Sequence, residues 1–287
     1  DRHLCRLGFS KHRSAMAGKR RSSADGVRAR FTAPLGPCHG GDRGQAGPDG
    51  ALASIVHFEN VGLRYGTDAE TLSDLSFSLA PGGFYFLTGP SGAGKTSLLK
   101  LLYLAQRPSR GMIRLFDEDI VTLPRDRLPA LRRRIGVVFQ DFRLVPHLSA
   151  HDNIALPLRV AGMAERDIAG PVEAMLDWIG LGNRAHALPA TLSGGEQQRV
   201  AIARAVVGKP DMLIADEPTG NVDADMAARL LDLFEALNKR GTTLVVATHD
   251  VHLLSAVARP QMMRLMAGRL VDPVGTGRTP RRPGGGR

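Results

Sequence analysis

Apolar residues first recur with a regular rhythm at Ser54. Ile55-Val56-His57-Phe58 predicts a short strand, and Leu75-Ser76-Phe77-Ser78-Leu79 a second whose apolar positions alternate strictly. Pro81-Gly82-Gly83 marks a turn, and Phe84-Tyr85-Phe86-Leu87-Thr88 reads as a short buried strand. Residues 97–106 are Leu-rich and predict a helix. Three further apolar runs, at 135–139, 212–215 and 244–247, have the length of strands. Continuous apolar runs separated by helical pattern predict an α/β fold, with a parallel sheet covered on both faces. Residues 150–190 show helical pattern without strands, which predicts an inserted helical subdomain. Trp178 falls within that pattern and is expected in the core. No run of 18 apolar residues occurs, so no membrane span is expected.

The ends of the chain lack this rhythm. Residues 1–53 are rich in Gly, Ser, Arg and Pro and are expected to be a disordered basic tail; 274–287 are expected to be a flexible one. This changes the meaning of the charge. The 287-residue chain has a formal net charge of +10, which suggests a nucleic-acid partner. Residues 1–53, however, hold 10 Lys/Arg against 4 Asp/Glu, and 274–287 hold 4 Arg and no acid. The body, 54–273, is left with 24 of each sign, so no direct nucleic-acid contact is expected of it. Both cysteines, Cys5 and Cys38, lie in the first tail, so no disulfide framework holds the body, as suits a reducing compartment such as cytosol. The chain begins at Asp1, which fits an upstream mis-start or a fragment. No apolar segment follows a basic one, so secretion is not expected.

Three strings carry chemistry. Gly89-Pro90-Ser91-Gly92-Ala93-Gly94-Lys95-Thr96 fits G-x-x-x-x-G-K-[ST] and lies between a predicted strand and a predicted helix. Glycines let backbone N–H groups turn inward around phosphate oxygens, and the helix directs its positive end at the same anion. Lys95 supplies a point charge to the β- and γ-phosphates, Thr96 a hydroxyl for Mg²⁺, and Ser97 extends the phosphate-binding set. Met212-Leu213-Ile214-Ala215-Asp216-Glu217-Pro218 places two carboxylates at the C-terminal end of an apolar strand, where ligands of open α/β sheets bind. Asp216 is suited to hold Mg²⁺ and Glu217 to act as general base on water. Leu192-Ser193-Gly194-Gly195-Glu196-Gln197 contains a capping box, Ser193 with Glu196, which predicts a helix start; Gly208 and Pro210 are expected to end that helix. A capped start with two glycines is also an anion site.

With these strings the chain resembles the ATP-binding-cassette (ABC) ATPases, whose signature sequence Leu192–Gln197 matches. The resemblance spans about 54–270, within the body 54–273. It implies a P-loop NTPase with a mostly parallel core sheet, an antiparallel β subdomain and an inserted helical subdomain at about 141–192. It implies that Tyr65 stacks on adenine and that Gln140 senses the γ-phosphate and Mg²⁺. His249 matches a switch histidine, and Gly220-Asn221-Val222-Asp223 a loop through which two subunits communicate. ATP and Mg²⁺ are the implied cofactors. Ser193, Gly194, Gly195 and Glu196 of one subunit would cap the nucleotide held by the other, giving a head-to-tail homodimer around two ATP.

Within the family the wording is most similar to the bacterial cell-division branch. The strings are 86–95, 131–141, Asp152-Asn153-Ile154-Ala155-Leu156-Pro157-Leu158 and 215–223. That branch works with an FtsX-like integral membrane protein to control septal peptidoglycan hydrolysis, from the inner face of the cell membrane. Lipoprotein-release and efflux cassettes share much of the wording and form the alternative. A nucleic-acid-associated ABC ATPase is a third reading, prompted by the basic tails. Partner contact is expected at Phe142, Leu144, Val145 and Leu148, apolar residues in the segment that follows Gln140.

Overall fold

The computed structural model describes residues 54–220, 222–250, 254, 257 and 260–271. The two basic tails and Asn221 lie outside the described residues.

The first layer is antiparallel. β1 (Val56–Leu63) pairs with β2 (Leu72–Leu79) and with β4 (Arg110–Leu115), and β5 (Glu118–Asp119) completes the order β2-β1-β4-β5. In β2 the alternating apolar positions point inward, and Phe58 of β1 stacks on Phe77 at 4.5 Å between ring centroids. β1 runs past the four-residue segment that predicted it. Its register shifts between Phe58 and Val61, and Asn60 takes a left-handed φ of 47°. This bulge lets Val61 rejoin the buried face after the polar Glu59-Asn60 step.

The second sheet is the mostly parallel one, in the order β10-β9-β3-β8-β7-β6. β3 (Phe84–Thr88), β6 (Ile135–Val138), β7 (Met212–Asp216) and β8 (Thr243–Ala247) occupy the four predicted apolar runs. Leu213, Ile214, Val245 and Val246 are wholly buried, as strands covered on both faces must be. β9 (Gln261–Met266) runs parallel to β3, and β10 (Arg269–Leu270) turns back antiparallel.

α1 (Lys95–Leu102) follows β3 and buries Leu98, Leu99, Leu101 and Leu102. It starts two residues before the predicted helix and stops short of its predicted end, where Leu104 turns left-handed at φ 60°. α2 (Leu128–Arg133) precedes β6. Between β6 and the signature helix lie α3 (Ala150–Val160), α4 (Glu165–Trp178) and two 3₁₀ turns, with no strand among the described residues. Trp178 is buried there, as expected. α5 (Gly194–Val206) carries the predicted capping box, and α6 (Ala224–Lys239) is capped by Asp223, whose carboxylate accepts from the Met226 amide at 2.7 Å. The chain leaves α5 where predicted, but Lys209, not Gly208, takes the left-handed conformation, at φ 51°.

Candidate nucleotide-binding site

The C-terminal ends of β3, β6, β7 and β8 converge, and the loops leaving them build the site. After Thr88 the chain enters 89–94 with Gly89, Gly92 and Gly94 at φ 149°, 77° and 101°. Gly94 is the N-cap of α1, so the loop feeds directly into the helix start. Gly89 passes close over β9: a Cβ there would lie 2.1 Å from the Leu265 carbonyl oxygen. Lys95 folds back across the loop, donating to the carbonyls of Gly89 at 2.7 Å and Pro90 at 3.1 Å. Glycines in positive-φ conformations and a lysine ammonium held over the loop are the chemistry that phosphate binding requires.

Thr96, in the first turn of α1, donates its hydroxyl to Asp216 Oδ2 at 3.3 Å. Asp216 ends β7, and burial pushes its carboxyl above the ordinary range. The Thr96 hydrogen bond and Lys95 oppose this shift, while the charges of Glu217 and Asp141 add to it. A half-buried carboxylate beside a threonine hydroxyl and a glutamine is a hard-oxygen donor set of the kind Mg²⁺ takes. Among the described residues no group of three or more His, Cys, Asp or Glu forms a metal cage. An ion at Asp216 would therefore draw its other ligands from phosphate and water, as Mg²⁺ in nucleotide sites does.

Gln140 follows β6 and faces the same space. A cavity of about 420 Å³ is lined by Thr96, Gln140, Asp141 and Asp216 and backed by Tyr103 and Phe139. Glu217 turns left-handed at φ 49°, and its amide donates to the Ala247 carbonyl at 2.8 Å. That turn carries its side chain to His249, with Oε1 2.8 Å from Nδ1. The carboxylate has no proton to give, so Nδ1 is the donor. The hydrogen bond and the negative charge of Glu217 both raise the His249 pKa, against desolvation and Lys95, with Asp250 adding to the rise.

Tyr65 is half-buried at the edge of the antiparallel sheet. Its hydroxyl donates to Ser97 Oγ at 3.2 Å, and Lys100 Nζ lies 5.6 Å from its ring centroid. The structure thus brings Tyr65 to α1, although 32 residues separate it from Ser97.

The signature residues are arranged among themselves. Ser193 Oγ accepts from the Glu196 amide at 3.3 Å, and Glu196 Oε2 accepts from the Ser193 amide at 2.8 Å. The Ser193 backbone holds the Glu196 carboxyl below its ordinary pKa. Gly194 is exposed at the helix start. Among the described residues, no hydrogen bond of Ser193 or Glu196 reaches the loop 89–97.

Three residues outside the three strings that carry chemistry hold the site's loops. Arg204 of α5 donates to the carbonyls of Phe142 and Arg143, both at 2.7 Å, and burial lowers its pKa. Phe142 and Arg143 are both left-handed, at φ 57° and 47°, so this turn needs outside support. Asn153 of α3, fully buried, accepts from the Val145 amide at 2.8 Å and donates to the carbonyls of Val145, Leu148 and Ser149. Gln198 of α5 donates to the Pro218 carbonyl. The available signal was a polar residue on the apolar stripe of an amphipathic helix, which must find a partner when buried.

Comparison with known proteins agrees with this geometry. Residues 72–220 match the ABC transporter family. The chain is 46% identical over 221 residues to the cell division ATP-binding protein FtsE of Escherichia coli (strain K12), covering 77% of this chain and 99% of that protein. It is 40% identical over 205 residues to FtsE of Bacillus subtilis (strain 168), covering 71% of this chain and 90% of that one. Among solved structures, the ATP-binding cassette MJ0796, in a dimeric post-hydrolysis state bound to ADP and Pi, superposes with a TM-score of 0.71. That match has 32% identity and covers 76% of this chain and 97% of that one. A phosphate cradle, a carboxylate pair at a strand end and a separately capped signature helix, in a chain with such relatives, belong to a member of the ABC transporter family.

Proposed function

We propose that this chain is the ATP-hydrolysing subunit of an FtsEX-type complex, working as a head-to-tail homodimer with an FtsX-like integral membrane protein. The observation that carries the reading is the grouping of Lys95, Thr96, Gln140 and Asp216 at one set of strand ends, with the Glu217–His249 pair beside it. This occurs in a chain that matches curated FtsE proteins along nearly their full length. The reaction is transfer of the γ-phosphoryl group to water. The water oxygen bonds to phosphorus as the bond to the bridging oxygen breaks, releasing ADP and inorganic phosphate. Loop 89–94 and Lys95 bind the phosphates. Glu217 takes the proton of the attacking water, and His249 donates a hydrogen bond to its carboxylate. Thr96, Asp216 and Gln140 would hold Mg²⁺, which supplies charge neutralisation on the phosphates when bound.

In this reading the signature helix start, Ser193–Glu196, serves the partner subunit's nucleotide, in keeping with its lack of a bond to the chain's own loop 89–97. Tyr65 presents its ring to adenine, held by Ser97. Tyr65→Ala is expected to weaken ATP binding by about tenfold or more, from loss of roughly 1–3 kcal/mol of stacking. Equilibrium binding measured with a fluorescent ATP analogue checks this, and unchanged affinity would return Tyr65 to a packing role.

Among the described residues, no helix is long and apolar enough to cross a membrane; likeness to the FtsE proteins supports attachment through the membrane partner. The segment after Gln140 is its contact. Phe142, Leu144, Val145 and Leu148 are all half-buried there, held in a fixed non-helical shape by Asn153 and Arg204. A fixed apolar surface left partly open is the usual mark of a docking site. Leu144→Asp or Leu148→Asp is expected to leave ATP binding by the isolated protein intact. Recruitment to the membrane should fail, and cells carrying the variant should filament. Normal recruitment and normal division would remove this surface from the partner contact.

A further inference from the structure

His249 carries its ring in the open: the side chain is 86% exposed, whereas Glu217 is 17% exposed. A ring so placed is not fixed by packing, so its position depends on the backbone on either side. Before it, Thr248 is buried, and its amide donates to the Leu87 carbonyl of β3 at 3.3 Å. After it, the Asp250 amide donates to Thr248 Oγ1 at 3.0 Å, and Asp250 Oδ2 accepts the Thr219 hydroxyl at 3.0 Å. Thr219 stands two residues past Glu217. Pro218 between them is held from the other side by Gln198. The contacts close a ring. Chain connects Glu217 to Thr219, a hydrogen bond connects Thr219 to Asp250, chain connects Asp250 to His249, and the imidazole returns to Glu217 at 2.8 Å.

We infer that Thr219 and Asp250 are positioning residues, whose hydrogen bond fixes His249 against Glu217. The inference rests on the ATPase reading of that pair. Glu217 is set by its own amide bond to Ala247 and by the anchored Pro218, so its end of the pair is rigid. The His249 end hangs between an anchored Thr248 and Asp250. Without the Thr219 hydroxyl, the Asp250 carboxylate loses its hydrogen bond to the segment that leaves β7. The imidazole then samples positions out of reach of the carboxylate.

Thr219→Val removes the hydroxyl at nearly constant volume, and Thr219→Ser keeps it. In the full chain, Thr219→Val is expected to lower kcat about tenfold, the worth of one hydrogen bond to a charged group, with KM for ATP within about twofold. Thr219→Ser should restore kcat. In a His249→Ala background Thr219→Val should lower kcat no further, because the group it positions is gone. Amide hydrogen exchange over 247–250 should quicken in Thr219→Val and not in Thr219→Ser, a readout that needs no turnover. Unchanged kcat in Thr219→Val overturns the inference. So does an undiminished loss in the His249→Ala background, or unaltered exchange. If Thr219→Val does not fold, Asp250→Asn weakens the same bond, and a smaller kcat loss of the same pattern is expected; unchanged kcat there is equally fatal. A wild-type protein that hydrolyses no ATP, yet whose exchange responds to Thr219→Val, would sink the ATPase reading and keep the clamp.

Discussion

Glu217→Gln is expected to bind ATP normally and to turn it over at least about 100-fold more slowly. The amide keeps the size of the carboxylate and an oxygen toward His249, so the left-handed turn after β7 and the neighbouring Asp216 are undisturbed. What it loses is the capacity to accept a proton from water. General-base contributions run to about 10²–10⁴-fold, so the barrier should rise by some 2.7 kcal/mol or more. Because binding is spared and hydrolysis is not, ATP should persist in the site, and the signature helix of the second subunit should remain engaged on it. The variant is therefore expected to accumulate as an ATP-dependent dimer, visible by size-exclusion chromatography with ATP and absent with ADP. Near-normal hydrolysis would remove Glu217 from the base role. Slow hydrolysis without dimer accumulation would separate the chemistry from the head-to-tail assembly.

The elements that place these groups were legible where the physics is local. β3, β6, β7 and β8 are apolar on both faces and short, so their runs stand out from the sequence. The motif Gly89–Thr96 describes one backbone turn into one helix start, and Ser193 with Glu196 describes one capping box. Each is complete within eight residues. The strands missed carry few buried apolar residues or none. β4 buries Ile113 and Leu115 but exposes Arg110, Gly111 and Arg114, while β9 buries only Met263 and Leu265. The bulge at Asn60 likewise hid the rest of β1, because the polar Glu59-Asn60 step interrupts its apolar run.

The site was less legible beyond its strings, for a related reason. Nothing local to Gln140 says that it shares a cavity with Thr96 and Asp216; the resemblance supplied that, and the structure groups the three through convergence of β6, α1 and β7. Arg204 reaches the Phe142 and Arg143 carbonyls across 62 and 61 residues, and Thr219 reaches Asp250 across 31. Such bonds depend on which helix packs on which strand end, information that periodicity does not carry. They also link the parts. α5 begins at the signature, touches Pro218 through Gln198 and grips the segment after Gln140 through Arg204. One helix thus joins the surface proposed for the partner's nucleotide, the exit of β7 and the surface proposed for the membrane subunit.

Gly89→Ala is expected to be the most damaging single methyl in the site. Gly89 is where the chain leaves β3 and crosses the neighbouring strand, with Thr88 paired to Arg264 of β9. An added Cβ would lie 2.1 Å from the Leu265 carbonyl oxygen, and φ is 149°, which L-residues rarely adopt. The obstructing atom is backbone within a hydrogen-bonded sheet, so it cannot swing aside as a side chain would. Either β9 separates from β3 or the loop lifts away. If the loop lifts, the Gly89 and Pro90 carbonyls that hold Lys95 move with it. Overpacking of this kind costs up to about 3 kcal/mol, and taken from nucleotide binding that is roughly a 100-fold loss of ATP affinity. The control is Gly162→Ala. Gly162 is also left-handed, at φ 83°, but has nothing within 4 Å of the added Cβ, so it carries the conformational penalty without the clash. That penalty is about 1–2 kcal/mol of stability, with ATP affinity unchanged. Calorimetric titration with ATP and a thermal unfolding curve for each variant separate the two effects. Gly89→Ala with wild-type affinity would mean that β9 yields at small cost and that the loop geometry does not depend on this crossing.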